Sequence, residues 1–130
     1  MTHCLDSWAV LRWLEGGEPA AARIEEVLPE QPVMSWINLG EVFYVVARSA
    51  GAEQAHEVVQ DLRTRLMLDE ATPRRVLEAA AIKAVYSMAY ADAFAVATAK
   101  AYDAVLLTGD PEILDSGAGW RIEDLRASRA

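Results

Sequence analysis

The sequence predicts an α/β protein, a three-layer α/β/α sandwich with a central, mostly parallel sheet, and three observations carry that expectation. Short apolar runs bounded by turn residues alternate along the chain with stretches of helical period. The clearest of the runs, residues 104–108 (Ala-Val-Leu-Leu-Thr), is a buried strand followed at once by Gly-Asp-Pro. The 130 residues, 53% of them apolar and without a low-complexity tract, suit one hydrophobic core, so residues 1–130 are expected to form a single domain.

In chain order, residues 2–5 are a short apolar run that stops at Asp6-Ser7, and residues 8–14 continue with helical character, giving strand, turn, helix. After Gly16-Gly17, Pro19 opens a helix with Ile24, Val27 and Leu28 on one face, closed by Pro29 and Pro32. Residues 33–36 form a second strand. Residues 38–50 are apolar nearly all round, through Leu39, Val42, Phe43, Val45 and Val46, which predicts a buried helix ending at Gly51 with Glu41 as the one acid inside it. Residues 52–66 are amphipathic, with Ala55, Val58, Val59, Leu62 and Leu66 in a stripe, and form a surface helix. Residues 67–71 read as an edge strand, and Thr72-Pro73 supplies the N-cap and first position of a helix running to about Val85. Residues 91–102 are an Ala-rich, closely packed helix. The strand at 104–108 turns through Gly109-Asp110-Pro111 into a single helical turn, and a last short strand lies around Arg121-Ile122. This alternation implies parallel pairing and right-handed crossovers.

A formal net charge of −8 argues against a protein that holds nucleic acid on a broad basic face. Of its twelve basic residues only Lys83 and Lys100 are lysines; arginines such as Arg12 and Arg48 suit bidentate phosphate contacts at a pocket rim, and a solvated surface explains most of the arginines equally well. Cys4 has no partner and lies in an apolar run, which predicts a buried, inert thiol; His3 and His56 show no metal-ligand spacing. The N-terminus carries no basic region before an apolar run, and residues 84–99 are interrupted by Asp92, so the expectation is a cytoplasmic protein with no membrane association.

The chemistry lies in four acids. Taken singly, each has a structural explanation: Asp6 and Asp92 as helix caps, Asn38 with Glu41 as a capping box, Asp110 before Pro111 as an N-cap pair. Taken together they point elsewhere. In an open parallel sheet the ligand site lies beyond the carboxyl ends of the strands, and Asp6 and Asp110 stand at two such ends. Glu41 and Asp92 lie near the starts of the two most apolar helices, and Asp92 is the only charge from Ala84 to Ala99. Converging carboxylates without a lysine partner describe a site for a hard cation, Mg²⁺ or Mn²⁺, and the lack of His and Cys disfavours zinc. Two divalent ions would neutralise the formal charge of the four acids, activate water and stabilise the leaving oxygen of a phosphodiester.

These residues resemble the PIN-domain ribonucleases, most closely the VapC-type toxins of type II toxin–antitoxin systems. Leu5-Asp6-Ser7-Trp8-Ala9-Val10-Leu11 is similar to the family's opening acid motif, and Asn38-Leu39-Gly40-Glu41-Val42 to its second. Tyr90-Ala91-Asp92-Ala93-Phe94-Ala95 is similar to the third, and Val105-Leu106-Leu107-Thr108-Gly109-Asp110-Pro111-Glu112 to the last and most specific. The resemblance spans nearly the whole chain. It implies that Asp6, Glu41, Asp92 and Asp110 form a catalytic metal pocket, with Thr108, and also Ser7 and Asn38, as supporting polar groups that orient a carboxylate or water. The implied activity is a Mg²⁺- or Mn²⁺-dependent endoribonuclease acting on RNA, with a cognate antitoxin as partner and a homodimer as the assembly. An alternative is a PIN-type nuclease of RNA maturation or turnover without an antitoxin. A receiver-like signalling domain would need paired acids after its first strand and a Lys after a late one, and Asp6 stands alone. A short, partly polar segment before Asp6, with Thr2 and His3, departs from the family's longer first strand.

Overall fold

The computed structural model describes residues 1–127. Five short strands form one all-parallel sheet: β1 (His3–Leu5), β2 (Val33–Ser35), β3 (Met67–Asp69), β4 (Val105–Thr108) and β5 (Ile122–Asp124), in the order β3-β2-β1-β4-β5. Seven helices join them: α1 (Ser7–Leu14), α2 (Ala20–Val27), α3 (Trp36–Ala50), α4 (Ala52–Arg65), α5 (Pro73–Val85), α6 (Tyr90–Ala101) and α7 (Pro111–Leu114). A 3₁₀ turn at Leu28–Glu30 finishes α2.

Successive strand side chains point to opposite faces of a sheet, and each face here has its own apolar layer. Leu5, Met34 and Leu107 pack with residues of α1 to α4, among them Val10, Ile24, Leu39 and Leu62. Cys4 and Leu106 pack on the other face with Ile82 of α5, Val96 of α6 and Ile113 of α7. Adjacent residues of one strand thus serve separate cores, and the expected sandwich is formed. Cys4 is fully buried and free, and burial pushes its thiol far above the ordinary value. No helix among the described residues is long and apolar enough to cross a membrane.

The strand order places the site. The chain steps outward from central β1 through β2 to edge strand β3, then returns to the other side of β1 as β4. β1 and β4 are therefore neighbours at the point where the winding reverses, and Cys4 pairs with Leu106 and Leu5 with Leu107. Crevices at the carboxyl ends of such strands are where α/β folds bind ligands.

Two expectations need correcting, and two of the structural explanations offered for single acids fall away. β2 ends at Ser35, and Trp36 belongs to the next helix: the Ser35 hydroxyl accepts a hydrogen bond from the Ile37 amide (3.1 Å) and caps α3. The helix therefore starts before Asn38, and the capping box of Asn38 with Glu41 does not form. Nor is α3 buried all round. Only Asn38, Leu39 and Val42 are buried, and Ile37 and Tyr44 are exposed, so its apolar outer face is left partly bare. Asp92 does not cap α6, whose N-cap is Ala89 with no side-chain hydrogen bond.

Candidate metal centre

Each acid is delivered by a junction between elements. Asp6 directly follows β1 and is the N-cap of α1, where its Oδ1 accepts a hydrogen bond from the Ala9 amide at 2.8 Å. Its Oδ2 accepts a short hydrogen bond from the Thr108 hydroxyl at the end of β4. The same Thr108 oxygen accepts from the Asp110 amide at 2.9 Å. One threonine thus ties together the two strand ends, which only parallel neighbours in this register allow. Burial pushes the Asp6 carboxyl up to about 7 from an ordinary 3.8, the Thr108 hydroxyl and Ala9 amide oppose that rise, and the charges of Asp110 and Glu41 add to it.

Asp110 caps the single turn of α7, accepting through Oδ1 from the Glu112 amide at 2.9 Å. Gly109 sits just before it, under the indole of Trp8. A Cβ at position 109 would run into that ring, so the turn and the aromatic residue of α1 are packed as one unit.

Asp92 lies in the first turn of α6, is only 6% exposed, and its Oδ2 has no hydrogen-bond partner. Burial is the main cause that raises its carboxyl above the ordinary range, followed by the charge of Asp110 and a hydrogen bond with the Asp110 side chain, and then by the charges of Glu112 and Asp6. A buried oxygen left without a donor costs free energy unless something else meets it. One carboxylate oxygen from each of Asp92, Asp110 and Glu112 lies within 4.8 Å of the others, the one group of this kind among the described residues.

The second motif is joined through hydrogen bonds. Glu41 accepts at Oε1 from the Ser7 hydroxyl (2.5 Å) and has a long contact at Oε2 from the Tyr44 hydroxyl (3.5 Å). Asn38, buried one turn earlier, donates through Nδ2 to the Ala91 carbonyl at 2.9 Å, fixing the start of α6 one residue before Asp92. The three polar residues expected to support the acids are therefore engaged in three different ways: Thr108 with Asp6 and Asp110, Ser7 with Glu41, and Asn38 with the backbone beside Asp92.

Of the four acids singled out from the sequence, Asp92 and Asp110 converge on a common point, Asp6 is locked beside Asp110, and Glu41 stands outside the trio on a bond to Ser7. Glu112 was missed as a site residue. It lies two residues after a cap, in a helix of four residues, and the hydrogen bond that its backbone amide donates to Asp110 holds it at the same end of β4. Carboxylate oxygens alone make up the donor set, which suits a hard divalent ion rather than zinc, and the unpartnered Asp92 oxygen is the group such an ion would satisfy.

The sequence matches the family model of the PIN domain over residues 3–117. No curated protein sequence matches it. Among solved structures, the fold is similar to a chain of DNA-bound VapBC from Salmonella typhimurium (20% identity, covering 96% of this chain and 98% of that one, TM-score 0.76). It is also similar to VapC20 of Mycobacterium tuberculosis, a Sarcin-Ricin loop cleaving toxin (17% identity, 89% and 95% covered, TM-score 0.74). A chain of a toxin-antitoxin complex from Klebsiella pneumoniae is a third (18% identity, 92% of each covered, TM-score 0.70).

Proposed function

Because the chain belongs to the PIN domain family, we propose that it is a metal-dependent endoribonuclease that hydrolyses RNA phosphodiester bonds, the toxin of a toxin–antitoxin pair. The observation that carries this reading is the orphaned, nine-tenths-buried oxygen of Asp92 beside Asp110 and Glu112 at the switch point of the sheet. Mg²⁺ or Mn²⁺ would be held by Asp92, Asp110 and Glu112, within the field of Asp6 and Glu41. When bound, such an ion supplies positive charge for the phosphodiester oxygens and acidifies water for attack.

The remaining work falls to the protein. Thr108 and the Ala9 amide hold Asp6 in one orientation, and Thr108 fixes the Asp110 backbone, so two carboxylates are set before substrate arrives. Glu41 is held at Oε1 by Ser7 and met at Oε2 by the Tyr44 hydroxyl, so its carboxylate is oriented beside Asp6, whose charge it adds to. Asn38 keeps Asp92 in place through the backbone of Ala91.

The test is Asp92→Asn. Asp92 caps no helix, so the change removes no capping bond. A ligand replaced in a crowded carboxylate cluster loses one charge and relieves repulsion. The variant is expected to fold, to match or exceed the metal-free thermal stability of the parent, to lose most of the stabilisation by Mn²⁺, and to lose RNA cleavage. Full cleavage with an unchanged Mn²⁺ response would overturn the reading.

The antitoxin expected with this toxin silences it by setting an Arg or Lys against the same carboxylates, and the toxin itself pairs as a two-fold dimer. The structure of the purified complex checks both. An antitoxin bound away from Asp6 and Asp92, or a toxin monomeric by light scattering, would remove the corresponding part.

A further inference from the structure

Resting on the reading of the site as an RNA-cleaving centre, we propose that Arg12 and Arg48, each held on an aromatic ring tied to that centre, are the two grips for the phosphates of an unpaired RNA strand, with the Tyr44 ring as the platform for one of its bases. An acidic protein repels a polyanion everywhere except where cations are left uncommitted. Six of the arginines, Arg23, Arg65, Arg74, Arg75, Arg121 and Arg126, pair with carboxylates. Among the described residues Arg12, Arg48 and Arg63 have no carboxylate partner and lie over aromatic rings instead. A guanidinium stacked on a ring keeps its edge donors for a phosphate while its planar orientation is fixed beforehand.

Two of the three rest on rings that are linked to the site. The Arg12 guanidinium carbon lies 4.8 Å from the ring centre of Trp8, and Trp8 both follows Ser7, the donor to Glu41 Oε1, and covers Gly109 beside Asp110. The stem of Arg12 lies against Gly17, where any side chain would displace it. The Arg48 guanidinium carbon lies 5.0 Å from the ring centre of Tyr44, whose hydroxyl meets Glu41 Oε2. The two arginines are therefore reached from the two oxygens of one carboxylate, along helices α1 and α3 that pack together.

Tyr44 is 45% exposed, although it carries Arg48, and this leaves open ring for a base. A duplex keeps its bases stacked on each other, whereas an unpaired strand offers both phosphates and free base faces, which is the combination these pairs meet. Arg63 lies 5.4 Å from the ring centre of Trp36, a ring that neither covers Gly109 nor hydrogen-bonds to Glu41, and it serves as the internal control.

The experiment measures fluorescence anisotropy of a labelled RNA hairpin with an unpaired loop, and of a fully paired RNA, against the Asp92→Asn protein so that the probe is not cut. Arg12→Ala and Arg48→Ala are each expected to weaken hairpin binding about tenfold and to lower the salt dependence by roughly 0.7 per lost phosphate contact. Tyr44→Ala is expected to weaken it several-fold and Tyr44→Phe to leave it unchanged, which separates stacking from the hydroxyl contact to Glu41. Arg63→Ala should change nothing, and the paired RNA should bind weakly and without dependence on Tyr44. Equal binding by the arginine variants and the parent overturns the proposal. So does absence of hairpin binding by the Asp92→Asn protein. Cleavage of the same hairpin by the wild-type protein with Mn²⁺, measured alongside, tells whether the nuclease reading falls too, since that reading needs cleavage and not these arginines.

Discussion

Two carboxylates two residues apart play different parts at the end of β4. Asp110 is a helix cap whose Oδ1 is engaged, and Glu112 is exposed and contributes an oxygen to the same cluster as Asp92. Glu112→Gln is therefore expected to leave the metal-free melting temperature within about 2 °C, as for other exposed substitutions. It should weaken Mn²⁺ binding by about tenfold or more in a calorimetric titration, because a charged oxygen is exchanged for a neutral one. Unchanged affinity would return Glu112 to a surface residue favoured by the helix N-terminus. That ordinary role is the reason its part in the site was not legible: a Glu in the first turn after a cap needs no further explanation. Asp92 was legible because nothing else in its stretch is charged, and Asp6 and Asp110 because they end apolar runs. Being a cap and belonging to the cluster are compatible at Asp110, which uses Oδ1 for its helix, whereas Asp6 gives one oxygen to its helix and the other to Thr108.

The elements were legible wherever apolar period and turn chemistry agreed. Thr72 caps α5 as Thr-Pro predicts, accepting from the Arg75 amide, and the run ending in Thr108 is the buried strand that its composition implies. The errors lie at β2 and α3, where Trp36 and Ile37 have strand-forming side chains but Ser35 supplies the hydroxyl that starts the helix. Shifting the start of α3 from Asn38 to Trp36 matters for the site, because it frees Asn38 from a capping role and places it within the helix, bonded to Ala91 of α6. This contact joins the second acid motif to the third. Asn38→Ala is expected to cost about 1–3 kcal/mol of stability, the usual penalty for removing a partner from a buried polar group. It should also reduce the Mn²⁺-induced rise in melting temperature, because the start of α6 that carries Asp92 is no longer held. A loss of stability with the full Mn²⁺ response retained would limit Asn38 to packing.

At the scale of the whole molecule, the alternation of strands and helices made a parallel sheet legible, but the order β3-β2-β1-β4-β5, which sets β1 against β4, was not, because strand adjacency depends on where the chain turns back and no local residue pattern encodes it. That adjacency concentrates acids in a chain whose formal net charge is already −8. The consequence is a stability that falls with rising pH when metal is absent. Asp6 is held at about 7 in the folded protein against an ordinary 3.8, so between those values the folded state binds more protons than the unfolded one. Stability then decreases as pH rises through that window, and Asp92, raised in the same direction, extends the decline. His3 works against it, because burial lowers its value from 6.5 and the buried neutral ring favours folding as pH rises toward that figure. The decline is therefore cleanest above about pH 6.5. A cation needs these carboxylates ionised, so stabilisation by Mn²⁺ grows over the same range. Melting curves from pH 6 to 8 should show the metal-free melting temperature falling while the Mn²⁺-induced increment rises, and Asp6→Asn should flatten the fall. A metal-free melting temperature that climbs from pH 6.5 to 8 would mean that the cluster is not under the strain its burial implies.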